Sequence, residues 1–165
     1  MFKILIFSVL FTAFQSFSHL QGNQSMQAII LRDSLNKRLL LKLINQARQN
    51  GCTCAGKYYP PVPEVTWNDQ LVRAAQDHSL DMSAKRYFSH IGTDGSDAGT
   101  RITTAGYKWI NFAENIGMGY NDEEEVIDAW LHSPGHCKNI MNKAYSEIGI
   151  ANVNGYWTLD LASRQ

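Results

Sequence analysis

The sequence predicts an α+β domain in which helices pack on a small antiparallel sheet. Two observations carry that expectation. Apolar residues at helical spacing dominate the first half of the chain, and two strand-like runs joined by Asn154-Gly155 close it. A third narrows it to one domain: the 165 residues contain no internal repeat, low-complexity tract or linker composition.

The first segment reads as an export signal. Met1-Phe2-Lys3 carries one positive charge, Ile4 to Phe14 is mostly apolar, and Ser16-Phe17-Ser18 supplies the small residues a signal peptidase prefers. The apolar run is too short for a comfortable membrane span. Residues 1–18 are therefore expected to be removed, residues 19–33 to form a polar, flexible leader, and residues 34–165 to form the domain. The expected product is a monomer without a stable membrane span, outside the cytoplasm and so extracellular or periplasmic.

Within the domain, Leu35, Leu39, Leu43, Ile44 and Ala47 recur at helical spacing from Ser34 to Gln49, and Gly51 can stop that helix. Leu40 and Leu41 widen the stripe, so more than one side is expected to be buried. Tyr58 to Pro63 must be extended, because each proline biases its predecessor away from the helical region. Asn68 then caps a helix over Asp69 to Lys85. His78 lies near the apolar face of this helix, where a hydrogen-bonded structural imidazole is the expected role.

Tyr87 to Gly106 is a glycine-rich connection opened by His90, with a short helix over Arg101 to Ala105. Asn111 to Gly117 reads as an extended segment holding Glu114, a carboxylate with apolar neighbours. Asn121 is placed to cap a helix from Asp122 to Ala129, whose first turn is acidic as the macrodipole favours. Val126, Ile127 and Trp130 form its apolar stripe. Pro134-Gly135 bends the chain, and His136 opens a second short helix running through Met141.

Net charge is zero, becoming −1 once Lys3 leaves with the signal. No basic stripe is present, so nucleic-acid binding has no electrostatic support. Three cysteines in a secreted chain predict one disulfide and one free thiol. Cys52 and Cys54 are too close in sequence to pair without strain. One of them, Cys54 being favoured over Cys52, is expected to reach Cys137. Closing that loop would stabilise the fold by about 4–5 kcal/mol. A zinc site on the three sulfurs would lack a clear fourth ligand.

His90, Glu114 and His136 come from three separate segments, each at a loop or element end. Two imidazoles near a carboxylate can hold a divalent metal with positions left open, or act as a metal-free acid–base set. No HExxH, GxSxG or phosphate-cradling glycine motif occurs.

Five motifs occur in order: Phe88-Ser89-His90; Gly106-Tyr107-Lys108-Trp109; Ala113-Glu114-Asn115-Ile116-Gly117; Trp130 to Met141; and Glu147-Ile148-Gly149-Ile150-Ala151. The set resembles a bacterial member of the CAP superfamily of cysteine-rich secretory, antigen-five and pathogenesis-related proteins, also called SCP-like domains. The resemblance runs from about Leu39 to Leu161. It implies an α-β-α sandwich with a central cleft holding two His and two Glu, in which the histidines bind zinc or a similar ion. His90 and His136 match the histidines and Glu114 the first Glu. The second Glu, three residues after the motif tryptophan, is replaced by Ser133, which leaves the site one carboxylate short.

Three functions are weighed on this basis. The leading expectation is a divalent metal, zinc, held by His90 and His136 in a domain that binds an extracellular or cell-envelope ligand without turnover. The second is a metal-dependent hydrolase of peptide or peptidoglycan-like bonds, with Glu114 taking a proton from water. Ser133 beside His136 is a variant nucleophile lacking an identifiable third group to orient the base. The third is a lipid- or sterol-binding or interaction module using Tyr58, Tyr59, Trp109 and Tyr120.

Overall fold

A computed structural model describes residues 35–165; the expected signal and leader, residues 1–18 and 19–33, lie outside the described residues. The described chain is α+β, as expected. Its elements are α1 (Lys37–Asn50), β1 (Cys52–Cys54), β2 (Lys57–Tyr59), β3 (Thr66–Trp67), α2 (Asp69–Lys85), α3 (Ala98–Thr104), β4 (Trp109–Met118), α4 (Glu123–His132), α5 (Pro134–Ile140), β5 (Glu147–Val153) and β6 (Tyr156–Arg164). Among the described residues, no helix is long and apolar enough to cross a membrane.

A four-stranded sheet in the order β3-β5-β6-β4 forms the centre, and β1-β2 is a separate two-stranded ribbon. The β5-β6 hairpin turns at Asn154-Gly155, both with positive φ, which is the backbone that a tight two-residue turn requires. β4 pairs antiparallel with β6 and forms one edge of the sheet. Side chains alternate across the strands, so Phe112, Glu114 and Ile116 share a face with Ala162, Asp160 and Thr158.

α2 covers that face, where Ser79 Oγ donates to Thr158 Oγ1 at 2.9 Å. Leu71, Ala74, Ile102, Tyr107 and Ala162 fill this layer. Gly149 permits the approach: a Cβ there would lie 2.2 Å from the backbone of Leu71. On the opposite face, Trp157, Leu159 and Leu161 meet residues of α1, α4 and α5, including Leu40, Ile44, Val126, Trp130 and Ile140. The result is helices on both faces of one sheet.

The helix termini refine the sequence expectations. Asn68 caps α2 through Gln70 and Leu71 N–H, as predicted. α4 is capped by Asp122, whose Oδ1 accepts from Glu125 N–H, and not by Asn121. Asn121 instead donates to Glu125 Oε2 from backbone and side chain, completing a reciprocal cap one residue later than expected. α1 begins at Lys37 with Asn36 as its cap, and α3 begins at Ala98 because Asp97 caps it.

Arg48 binds α1 to the segment after α5. Its fully buried guanidinium donates to Pro63 O, Ile140 O, Asn142 O and Tyr145 O at 2.6–3.1 Å. Burial pulls its pKa down to about 10, so the side chain is still a cation at neutral pH. Arg48→Met would strand four carbonyls around an apolar chain. The expected loss is about 3 kcal/mol or more, read as a lower midpoint in urea denaturation. A loss below about 1 kcal/mol would show that water satisfies those carbonyls equally well.

Candidate metal and ligand site

β4 organises the site through two consecutive residues. Strand alternation turns Glu114 towards α2 and α3 and Asn115 towards α5. Glu114, with its side chain 3% exposed, accepts from His90 Nδ1 at 2.7 Å and from Arg101 Nη2 at 2.7 Å, one partner on each oxygen. On the other face, Asn115 Nδ2 donates to His136 O at 3.2 Å and Asn115 Oδ1 accepts from Asn139 at 2.9 Å. The two histidines are thus tied to neighbouring positions of one strand, His90 by its ring and His136 by its backbone.

The Glu114 bond has a chemical consequence for His90. A carboxylate accepts, so the imidazole carries its proton on Nδ1 and leaves the Nε2 lone pair open. The His90 side chain is 54% exposed, so Nε2 is available from outside. His136 is half-buried at the start of α5; burial, and then the neighbouring His90, lower its pKa and favour the neutral imidazole that a metal requires.

Arg101 joins the loop to the site. Besides Glu114, it donates to Ser96 O at 2.8 Å and His90 O at 3.0 Å. His78 is the structural imidazole expected. Its side chain is buried, Nε2 donates to Ser89 O at 2.9 Å, and Nδ1 has no partner among the described residues. Burial lowers its pKa against the opposing pull of Glu114. A cavity of ≈ 330 Å³ is lined by Asp77, His78, Asp81 and Arg101 among others, and His90 and His136 are not part of its wall.

Ser133 connects α4 to α5. Its N–H donates to Ala129 O and Trp130 O, its carbonyl accepts from Cys137 N–H, and its side chain makes no capping bond. No bond from its hydroxyl to His136 is present among the described residues. Nor do His90, Glu114 and His136 form a closed three-ligand cluster. Among the described residues, only the Cys52, Cys54 and Cys137 sulfurs lie within 4.8 Å of one another as such a set.

Two polar residues of the site lie outside the sequence expectation. The sequence places Arg101 only within a short helix, and no spacing rule pairs it with Glu114. Asp160 sits directly opposite Glu114 across the β4–β6 ladder and is fully buried. Ser133 still stands where the second Glu is expected; the further acid beside Glu114 is an aspartate from another strand, buried beneath it. Alternation does place Asp160 on the Glu114 face, but only once the strand register is known.

The chain belongs to the cysteine-rich secretory protein (CAP) family, whose sequence profile matches residues 41–159. Among curated proteins it is similar to the protein YkwD of Bacillus subtilis (strain 168), with 33% identity over 93 residues, covering 55% of this chain and 36% of that protein. Among solved structures it is similar to an extracellular protein containing an SCP domain from Bacillus anthracis str. Ames. That match has 25% identity and a TM-score of 0.67, and covers 77% of this chain and 40% of the other. An outer surface protein from Borrelia burgdorferi shares the fold at 18% identity and a TM-score of 0.64, covering 78% of this chain and 92% of that one. The chain spans about a third of the length of the curated relatives it matches.

Burial, and then the charge of Glu114, raise the Asp160 pKa well above the ordinary carboxylate range, with Arg101 opposing. Neither Asp160 oxygen has a partner among the described residues. A raised native pKa means that the folded state binds more protons than the unfolded state above the ordinary Asp value. Stability is then lost as pH rises from about 4 towards the raised value. Asp160→Asn removes this dependence. Its stability relative to wild type should increase with pH above about 4, by up to about 1.4 kcal/mol per unit. Urea denaturation across pH measures the difference; parallel curves would contradict the assignment.

Proposed function

We propose that this chain is a secreted CAP domain that holds a divalent metal, zinc by its nitrogen donors, between His90 and His136, and that it binds an extracellular or cell-envelope ligand without turning it over. The observation that carries this reading is the full engagement of Glu114 by His90 and Arg101. A carboxylate so used orients an imidazole and is poorly placed to take a proton from water. The residues fit a metal in one respect that matters: His90 Nε2 is left open by a fixed tautomer. When bound, the ion would supply a Lewis-acidic contact for an oxygen or nitrogen of the ligand.

The chain's own groups divide the remaining work. Arg101 neutralises Glu114 and holds the His90 loop by its carbonyl, while Asn115 fixes the start of α5 and with it His136. The hydrolytic alternative is less well supported, because among the described residues Ser133 has no base bonded to its hydroxyl, and Asp160 is fully buried. The lipid-binding alternative loses most of its surface. Tyr59 and Tyr120 pack against the core and Trp109 packs on Phe112, leaving Tyr58 as the exposed member of that set. Secretion is supported by the amino-terminal signal pattern and by the extracellular and outer-surface descriptions of structural neighbours.

Calorimetric zinc titration of the mature chain tests the reading. Wild type should bind one ion, and His90→Ala and His136→Ala should each abolish binding with folding intact. Glu114→Gln should weaken binding by roughly 10- to 100-fold through loss of imidazole orientation. Absence of wild-type binding, or binding indifferent to both histidines, would overturn the proposal.

A further inference from the structure

The three cysteines form a cluster that the metal site does not use. Cys54 and Cys137 are joined, spanning 83 residues, and both are buried. Cys52 is free and half-exposed. Residues two apart on a strand share a face, so Cys52 and Cys54 both point from β1 towards Cys137. The Cys52 sulfur lies 3.5 Å from the Cys137 sulfur, and all three fall within 4.8 Å of one another.

We propose that these residues form a thiol–disulfide exchange site in which Cys137 is shared between two partners and Cys52 is the resident nucleophile. The Cys52 thiolate attacks Cys137 Sγ. The Cys52–Cys137 bond forms as the Cys54–Cys137 bond breaks, and the electron pair leaves on Cys54 Sγ, which takes up the proton that Cys52 released to solvent. One disulfide is exchanged for another, so no external oxidant or reductant is consumed.

Burial gives the exchange its direction of access. With Cys54 4% and Cys137 0% exposed, an outside thiol cannot reach the resting disulfide, whereas Cys52 is already beside it. Cys52 also borders a groove of ≈ 420 Å³ between α1 and α4, lined by Ala47, Gly51, Ile127 and Leu131 among others. After exchange, one sulfur of the bond faces that groove. A buried cross-link thereby becomes one that a small-molecule thiol can attack. Burial raises the Cys52 pKa and keeps the thiol protonated in the resting state, which limits uncontrolled oxidation.

The folded, oxidised wild-type chain, treated with iodoacetamide at mildly alkaline pH and mapped by non-reducing peptide mass spectrometry, tests the site. Exchange predicts label on both Cys52 and Cys54, a Cys52–Cys137 peptide in the Cys54-labelled fraction, and rates independent of protein concentration. Cys52→Ser, which keeps the resting disulfide, should lose all label at Cys54. Label confined to Cys52 in wild type would overturn the proposal. Label at Cys54 in Cys52→Ser would overturn it too, since a free Cys54 would then arise from chains that lack the resting disulfide, with no exchange by Cys52.

Discussion

Glu114 is a carboxylate placed inside a protein, and nearly everything around it exists to make that tolerable. Its buried pairing with Arg101 would be a poor source of stability on its own, because removing two charges from water offsets most of their attraction. Losing either partner would nevertheless be expensive, leaving an uncompensated charge in the interior. The geometry is therefore retained as a unit. That unit places one imidazole, in one tautomer, at the surface.

The edge position of β4 explains how two faces of a sheet serve one site. Consecutive residues of a strand point in opposite directions, so Glu114 and Asn115 can address α2 and α3 on one side and α5 on the other. In a central strand the two groups would be separated by the sheet; at the edge the loop carrying His90 and the start of α5 can both come close. The packing on each face is conventional apolar burial, and Gly149 lets α2 approach until its backbone is in contact with β5. Asp160 is the strained member of the arrangement, a second acid in the same layer that favours its neutral form.

Much of this was legible in the sequence because it depends on local rules. Asn68 as a cap, Gly51 as a stop and Asn154-Gly155 as a turn are each dictated by one or two residues, and the structure follows them. Pro134 likewise marked the break between α4 and α5, although that break falls at Ser133, and Gly135, expected to turn the chain, lies with His136 inside α5; Cys54 is the partner of Cys137. The misses lie where the controlling contact is between elements or one residue away. Asp122 and Asn121 are both competent caps, and only their reciprocal bonds with Glu125 assign the roles. Arg101 and Asp160 reach Glu114 through a loop closure and a strand register, which no single-segment pattern encodes. The aromatic residues read as surface are mostly half-buried for the same reason: Tyr59, Trp109 and Tyr120 acquire their neighbours only in the folded chain.

The tautomer of His90 is the point on which the account turns, since an open Nε2 is what converts a buried ion pair into a coordination site. Nitrogen-15 NMR of the imidazole rings in the metal-free chain reads it directly. The account predicts that His90 carries its proton on Nδ1 in wild type and loses that preference in Glu114→Gln. A ring protonated on Nε2, or an even mixture of tautomers in wild type, would contradict it.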